Sequence, residues 1–248
     1  MTPLVRMVIV IAVTFIAMKT ITLAVARVSL APVSLLEFFG WPGMRPALFE
    51  RKRVVDRAGA RALALHGLAC LALGAALFAI ARAIAYPLWS TILALPALSL
   101  MLHFGVFDLL AAIYRLRGVP VAKLFRAPLF ARSLSEFWSR RWNIGFSEMV
   151  ATVVHRPLRP VIGENGALLA SFLLSGVLHE LAISVPVNAG YGLPTLYFLL
   201  HGALVAIERK VGRPLGRVWT LFWLAAPMPL VFHPPFVHGI IWPLLGLT

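Results

Sequence analysis

The sequence predicts an all-α, polytopic transmembrane helical bundle of about six to eight spans with interfacial or re-entrant helices, and three observations predict it. The chain of 248 residues is 60% hydrophobic and only 13% charged, where soluble domains run about 45–50% apolar and about 25% charged. Its mean hydropathy is +0.89. Apolar stretches long enough to cross a bilayer, roughly 20 residues each, recur near residues 4–28, 60–84, 87–113, 166–187, 193–208 and 216–232.

The first stretch, 4–28, is too long and carries Lys19 and Arg27 too late for a cleaved leader, so it reads as a helix. The tail 235–248 is shorter and either crosses, re-enters or lies buried. No repeat, low-complexity tract or Gly/Ser linker divides the chain, and 1–248 reads as one integral membrane domain. The lone cysteine, Cys70, excludes an intrachain disulfide framework and a cysteine-built metal site.

Charge orients the spans. Of 23 Lys and Arg, six fall in 45–61, nine in 115–159 and four in 209–217. The connections around Tyr86-Pro87, Asn188 to Pro194 and His233-Pro234-Pro235 hold none. Basic loops stay cytoplasmic, which puts the N-terminus outside and suits a bacterial inner membrane. The formal charge of +14 then reflects topology and attraction to anionic lipid headgroups rather than nucleic acid.

Polar residues inside hydrocarbon are expensive and point to function. The stretch ALLASFLLSGVLHELAISVP holds Ser175, His179, Glu180 and Ser184. Ser175 and His179, four apart, share one helix face; Glu180 and Ser184 share another, turned by about 100°. The helix can therefore show a histidine to a cavity while Glu180 packs toward a neighbouring helix. A histidine bonded between helices is the structural alternative. The stretch SLSEFWSRRWNIGFSEMV interleaves Phe137, Trp138, Trp142 and Phe146 with Arg140, Arg141 and Asn143. Rings at headgroup depth and guanidinium groups free for phosphate suit an interfacial helix, either a plain anchor or a ligand surface.

FWSRRWN followed by SGVLHE resembles the paired motifs of the membrane-bound O-acyltransferases, particularly the wax-synthase-like branch of long-chain-alcohol O-fatty-acyltransferases. Related sterol and diacylglycerol enzymes carry F-Y-x-D-W-W-N. Here Phe137, Trp142 and Asn143 match, Trp138 stands for the Tyr and Arg140 for the Asp. Ser175, His179, Glu180 and Pro186 fit the second motif, and FFGWPGMRPALF, 38–49, is similar to an early re-entrant or interfacial segment of the branch.

The resemblance implies ester formation from acyl-CoA and a lipid alcohol, with no other cofactor and no metal. It implies His179 as general base and Asn143 as a catalytic amide. Phe137, Trp138, Arg140, Arg141, Trp142 and Ser175 are implied to bind substrate, with Arg132 and Lys123 as further phosphate candidates and Glu180 as a supporting residue. H-E is not followed by the second histidine of a zinc motif. The chain is short for the family, and a homo-oligomer is one way to complete its site. Short-acyl transfer to a polar acceptor, and a small transporter or membrane scaffold, are the alternative functions; the paired broken helices of a transporter are not seen.

Overall fold

A computed structural model describes residues 1–247. Among the described residues the secondary structure is helical throughout, with no strand. In chain order the main elements are α1 (Pro3–Ala26), α2 (Pro32–Gly40), α3 (Arg57–Ala83) and α4 (Pro87–Leu116). They continue as α5 (Leu134–Glu136, running on as a π-helical turn, Phe137–Arg141), α6 (Ile144–Val187), α7 (Leu193–Val211), α8 (Arg217–Val231) and α9 (Pro234–Leu245).

Four of these, α1, α3, α4 and α6, are long and apolar enough to cross a membrane; α8 and α9, bent by 70° at a short break, make a fifth if counted as one span. By length and composition alone, four or five helices meet the test, against the six to eight spans expected. All six predicted stretches are helical, but the last turns of α7 carry Glu208, Arg209 and Lys210, which leaves its uncharged part shorter than in the four counted helices, and α8 is short and broken by Pro227. At 44 residues α6 is about twice the length a bilayer needs. Gly163, at φ 74° and ψ 175°, is not helical, so the run is two helices and only the part beyond it corresponds to the predicted 166–187.

The chain folds as two compact units, one of Met1–Val25 and Arg126–Ile240, the other of Ala26–Phe125 with the residues from Ile241 onward. In the second unit α3 and α4 approach through small residues. A Cβ on Gly67 would lie 2.9 Å from the Gly105 carbonyl oxygen, and one on Gly74 would lie 2.9 Å from that of Ala97. Such close approach is how helices associate where lipid removes the hydrophobic driving force. Asp108, 3% exposed on α4, is neutralised by Lys123 Nζ at 2.7 Å and faces His66 Nδ1 at 2.8 Å. Lys123, a phosphate candidate by sequence, is therefore committed to an ion pair. The 38–49 segment forms a buried aromatic knot: Phe38 and Phe49 pack edge to face, Trp41 and Phe49 each meet Tyr114, and the Tyr114 hydroxyl donates to the Glu37 carbonyl at 2.8 Å.

In the first unit the second half of α6 runs antiparallel to α7. Between them the chain reverses through Asn188, Gly190 and Gly192, all in the left-handed region. Gly176 permits the approach, since a Cβ there would sit 2.7 Å from Thr195 Cα. Glu180 Oε1 accepts from Gly192 N, Thr195 N and Thr195 Oγ1 at 3.0, 3.0 and 2.9 Å, which caps the start of α7.

Candidate active site

On α6, Ser171, Ser175 and His179 recur every four residues and so share one face. Each turns its proton back into the helix. Ser171 Oγ donates to the Ala167 carbonyl at 2.7 Å and Ser175 Oγ to the Ser171 carbonyl at 3.1 Å. His179 Nδ1 lies 2.7 Å from the Ser175 carbonyl oxygen. A carbonyl only accepts, so the neutral ring carries its proton on Nδ1 and leaves the Nε2 lone pair available. The ring rests on Phe198 of α7 with centroids 4.2 Å apart. Directly after His179 the helix widens to a π-turn, Glu180–Ser184, a distortion frequent at functional sites.

The FWSRRWN segment is held by both ends. At its start Leu134 N and Ser135 N donate to the Glu208 carboxylate, and Glu136 N donates to Ser133 Oγ. At its end Arg141 Nε donates to Glu136 Oε1 at 2.7 Å and Arg141 Nη1 to the carbonyls of Arg126 and Ala127. The Arg132 backbone N–H, then the Arg141 guanidinium, hold the Glu136 carboxyl below its ordinary value. Arg141 is thus a staple of the segment, and Arg140 points to an exposed surface. Phe137 stacks on Trp142 at 5.5 Å.

Asn143 ends the segment at φ 42°, ψ 60°, a left-handed conformation that asparagine tolerates better than most residues. Its Oδ1 accepts from Phe146 N at 3.3 Å and caps α6. With the oxygen so used, the amide N–H groups are the part left to donate. The Trp138 ring meets Phe172, Phe198 and His201, and its Nε1 is a buried donor without a protein partner.

These side chains line one cavity of about 320 Å³ in the first unit. His179, Asn143, Trp138, Trp142 and Ser175 are all on its wall; Phe137, Arg140, Arg141 and Glu180 are not. Beyond Gly163 the lining runs on α6 from Leu168 to His179, and on α7 from Phe198 to Arg209, about 16 Å along each helix at 1.5 Å per residue. The helices are antiparallel, so His179 and Phe198 stand at one end and Arg209 at the other. There Glu164 Oε1 accepts from Arg209 Nη1 at 2.7 Å and lies 3.3 Å from His155 Nε2. The sequence reading did not pick Arg209, His155, Phe172 or Phe198 for the site. The spacing Phe198, Val205, Arg209 is a one-face helical pattern that would have found the α7 wall. His201 packs on Tyr197 and Trp138, while Phe198 is the α7 residue that meets His179. Among the described residues no group of three or more His, Cys, Asp and Glu converges as metal ligands would.

Residues 121–200 match the membrane bound O-acyl transferase family. The chain is 35% identical over 112 residues to the probable long-chain-alcohol O-fatty-acyltransferase 1 of Arabidopsis thaliana, covering 42% of this chain and 33% of that protein. It is 32% identical over 108 residues to the long-chain-alcohol O-fatty-acyltransferase of Simmondsia chinensis, covering 40% and 31%. Probable long-chain-alcohol O-fatty-acyltransferase 6 of Arabidopsis thaliana matches at 30% over 144 residues, covering 50% and 42%. The chain therefore spans about a third to two fifths of the length of these relatives. The family match takes in the cavity wall from Ser135 to Phe198 and leaves out Val205 and Arg209. With its apolar spans the chain is an integral multi-pass membrane protein. Over residues 121–200 the chain is therefore similar to the membrane bound O-acyl transferase family, and it shows distant homology to the plant long-chain-alcohol O-fatty-acyltransferases.

Proposed function

We propose that this chain transfers a fatty acyl group from acyl-CoA to the hydroxyl of a hydrophobic alcohol, with His179 as general base and residues 1–248 acting as one acyltransferase domain. The observation that carries the reading is the His179 ring: Nδ1 is fixed on the Ser175 carbonyl, which leaves Nε2 as the acceptor of a histidine on the wall of a mostly apolar cavity. In the reaction Nε2 takes the alcohol proton as the oxygen attacks the thioester carbon. The carbonyl oxygen becomes an oxyanion, which the Asn143 amide stabilises as a donor. The oxyanion collapses, the C–S bond breaks, and the imidazolium returns the proton to the departing thiolate, giving ester and free CoA.

Direct transfer fits better than an acyl-enzyme. The hydroxyl protons of Ser171 and Ser175 are already given to helix carbonyls, and His179 Nδ1 is spent on the same helix. The Arg209 and His155 end suits the phosphates of CoA, as charge-assisted contacts. Exposed Arg140 supplies further positive charge, and the Trp138 and Trp142 rings suit the pantetheine arm and acyl chain. This reading keeps the N-terminus outside, the basic loops on the cytoplasmic face of a bacterial inner membrane, and further crossings by α7 and the bent α8–α9 pair, toward the six to eight spans of an O-acyltransferase bundle.

The test is turnover of labelled palmitoyl-CoA with a pool of fatty and sterol alcohols by the purified protein in detergent, beside His179→Ala. Labelled neutral ester with the native chain and a loss of at least about 100-fold in the variant is the expected result. Equal turnover by both removes His179 from the chemistry. No ester from either, but labelled product with a short acyl donor and a polar acceptor, moves the assignment to short-acyl transfer; no product at all favours the transporter or scaffold.

A further inference from the structure

We infer that Glu208, outside the cavity wall and outside the family-matched residues, is the positioning residue for the segment that carries Trp138, Trp142 and Asn143. Glu208 is 4% exposed, near the end of α7. Its Oε1 accepts from Leu134 N at 2.8 Å and from Trp219 Nε1 at 3.0 Å, and its Oε2 accepts from Ser135 N at 2.9 Å. No Lys or Arg forms an ion pair with it among the described residues. A buried carboxylate without a cation is tolerated where backbone N–H groups at a helix start supply the positive potential.

The donors of that helix start are fully accounted for. Leu134 N and Ser135 N go to Glu208, Glu136 N goes to Ser133 Oγ and Phe137 N goes to the Ser133 carbonyl. Ser133 is local and turns with the segment. Glu208 is the group that fixes the segment's start to a different element, and α7 is the helix that also presents Phe198, Val205 and Arg209 to the cavity. Two consecutive amides on two oxygens of one carboxylate set both the place and the rotation of the turn. Eight residues on from Ser135, Asn143 inherits that placement. A neutral glutamine has the same shape but one acceptor oxygen, and its NH2 would confront the second backbone N–H.

That Asn143 is the group the clamp serves rests on the acyl-transfer reading above, and the experiment separates the two. Glu208→Gln, Glu208→Asp and wild type are compared by hydrogen exchange of residues 133–143 and by kcat and KM for palmitoyl-CoA, each in native and Asn143→Ala backgrounds. The expected result is faster exchange confined to 133–143 in both variants. For kcat, a loss of at least about tenfold is expected in the native background and under about twofold in the Asn143→Ala background, the non-additivity of two residues acting through one interaction. KM is expected to stay within about threefold, because Arg209 remains on α7. If one variant fails to fold, the other carries the same comparison. Unchanged exchange in 133–143, or loosening spread over all of the first unit, overturns the positioning role. Equal kcat losses in both backgrounds reduce Glu208 to a general stabiliser and overturn it as well. Faster local exchange with no acyl transfer by wild type leaves the clamp standing and overturns the acyl-transfer reading instead.

Discussion

At residue scale, what His179 and Asn143 can do is decided by the hydrogen bonds each has already made, Nδ1 to the Ser175 carbonyl and Oδ1 from Phe146 N. His179 was legible because an ionisable group in an apolar helix is rare. Its tautomer was not, since that depends on the Ser175 carbonyl one turn earlier. Asn143 was legible only through the motif. Its second duty, capping α6 through Oδ1 from a left-handed backbone, emerges from the fold. Substitution can part the two duties. Asn143→Asp keeps a strong cap and replaces the amide donor by an acceptor. Its thermal midpoint should stay near wild type while kcat falls about 100-fold, the scale of losing one oxyanion donor. Asn143→Ala should lose similar activity and also about 1 kcal/mol of stability with the cap. Paired measurements of thermal midpoint and kcat check this, and equal stability of the two variants would show that the cap is idle. At the cavity's other end Glu164 competes for Arg209. Glu164→Gln should therefore lower KM for acyl-CoA by several-fold at low salt and Arg209→Ala should raise it, with both effects shrinking as salt screens the charges. Steady-state kinetics at two ionic strengths measures both; a KM indifferent to either change removes Arg209 from donor binding.

At the scale of elements, hydropathy located every long helix, and it was least informative where a helix end carries charge or a glycine breaks a run. The α7 stretch reads as apolar until its last turns, and the predicted span 166–187 takes in only the part of α6 beyond the break at Gly163. What hydropathy does not hold at all is the close contact of α6 with α7. Gly176 makes it possible, and Gly176→Ala would drive a Cβ to 2.7 Å from the Thr195 backbone. Overpacking of this kind costs about 1–3 kcal/mol, and here it also separates His179 from Phe198. Both a lower thermal midpoint and lower turnover are expected, whereas a fully stable Gly176→Ala chain would mean that the pair has room to spare. In the second unit α2 is fixed by the Arg53 guanidinium on Glu37, with Oε2 at 2.6 Å. That hydrogen bond, opposed by burial and assisted by the charges of Arg53 and Arg117, holds the Glu37 carboxyl below its ordinary 4.5. The folded chain therefore releases this proton more readily than the unfolded chain does. The stabilisation is present above 4.5 and fades as pH falls below it toward the folded value. Thermal melts from about pH 6 to about pH 3 should show a steeper acid loss for wild type than for Glu37→Gln, which has no proton to gain. Parallel curves would show the pair to be idle.

For the whole molecule, composition was decisive about the solvent and silent about the site. An apolar fraction of 60% requires lipid around the helices, and side chains such as Val8, Val13 and Leu65 are indeed turned outward. The gathering of Trp138, Asn143, His179 and Phe198 around one cavity depends on how α5, α6 and α7 pack, and no count of residues holds that. Charge asymmetry links the two levels, because the proposed topology takes from it which end of the cavity meets the cytoplasm. Arg209 lies at the basic end of α7, beside Lys210 and Arg213, while the reversal between α6 and α7 near Tyr191 has no Lys or Arg. On the proposed topology and reaction the Arg209 end opens to the cytoplasmic acyl-CoA pool, and His179 stands about 16 Å farther along the helices. Single cysteines test this directly. In a Cys70→Ser background, Tyr191→Cys and Arg213→Cys each place one thiol on an exposed residue at opposite ends of α7. With intact spheroplasts and a membrane-impermeant maleimide, position 191 should label at once and position 213 only after permeabilisation. The reverse pattern would leave Arg209 facing away from the cytoplasmic acyl-CoA pool, and His179 could then no longer be assigned a donor entering from the arginine end.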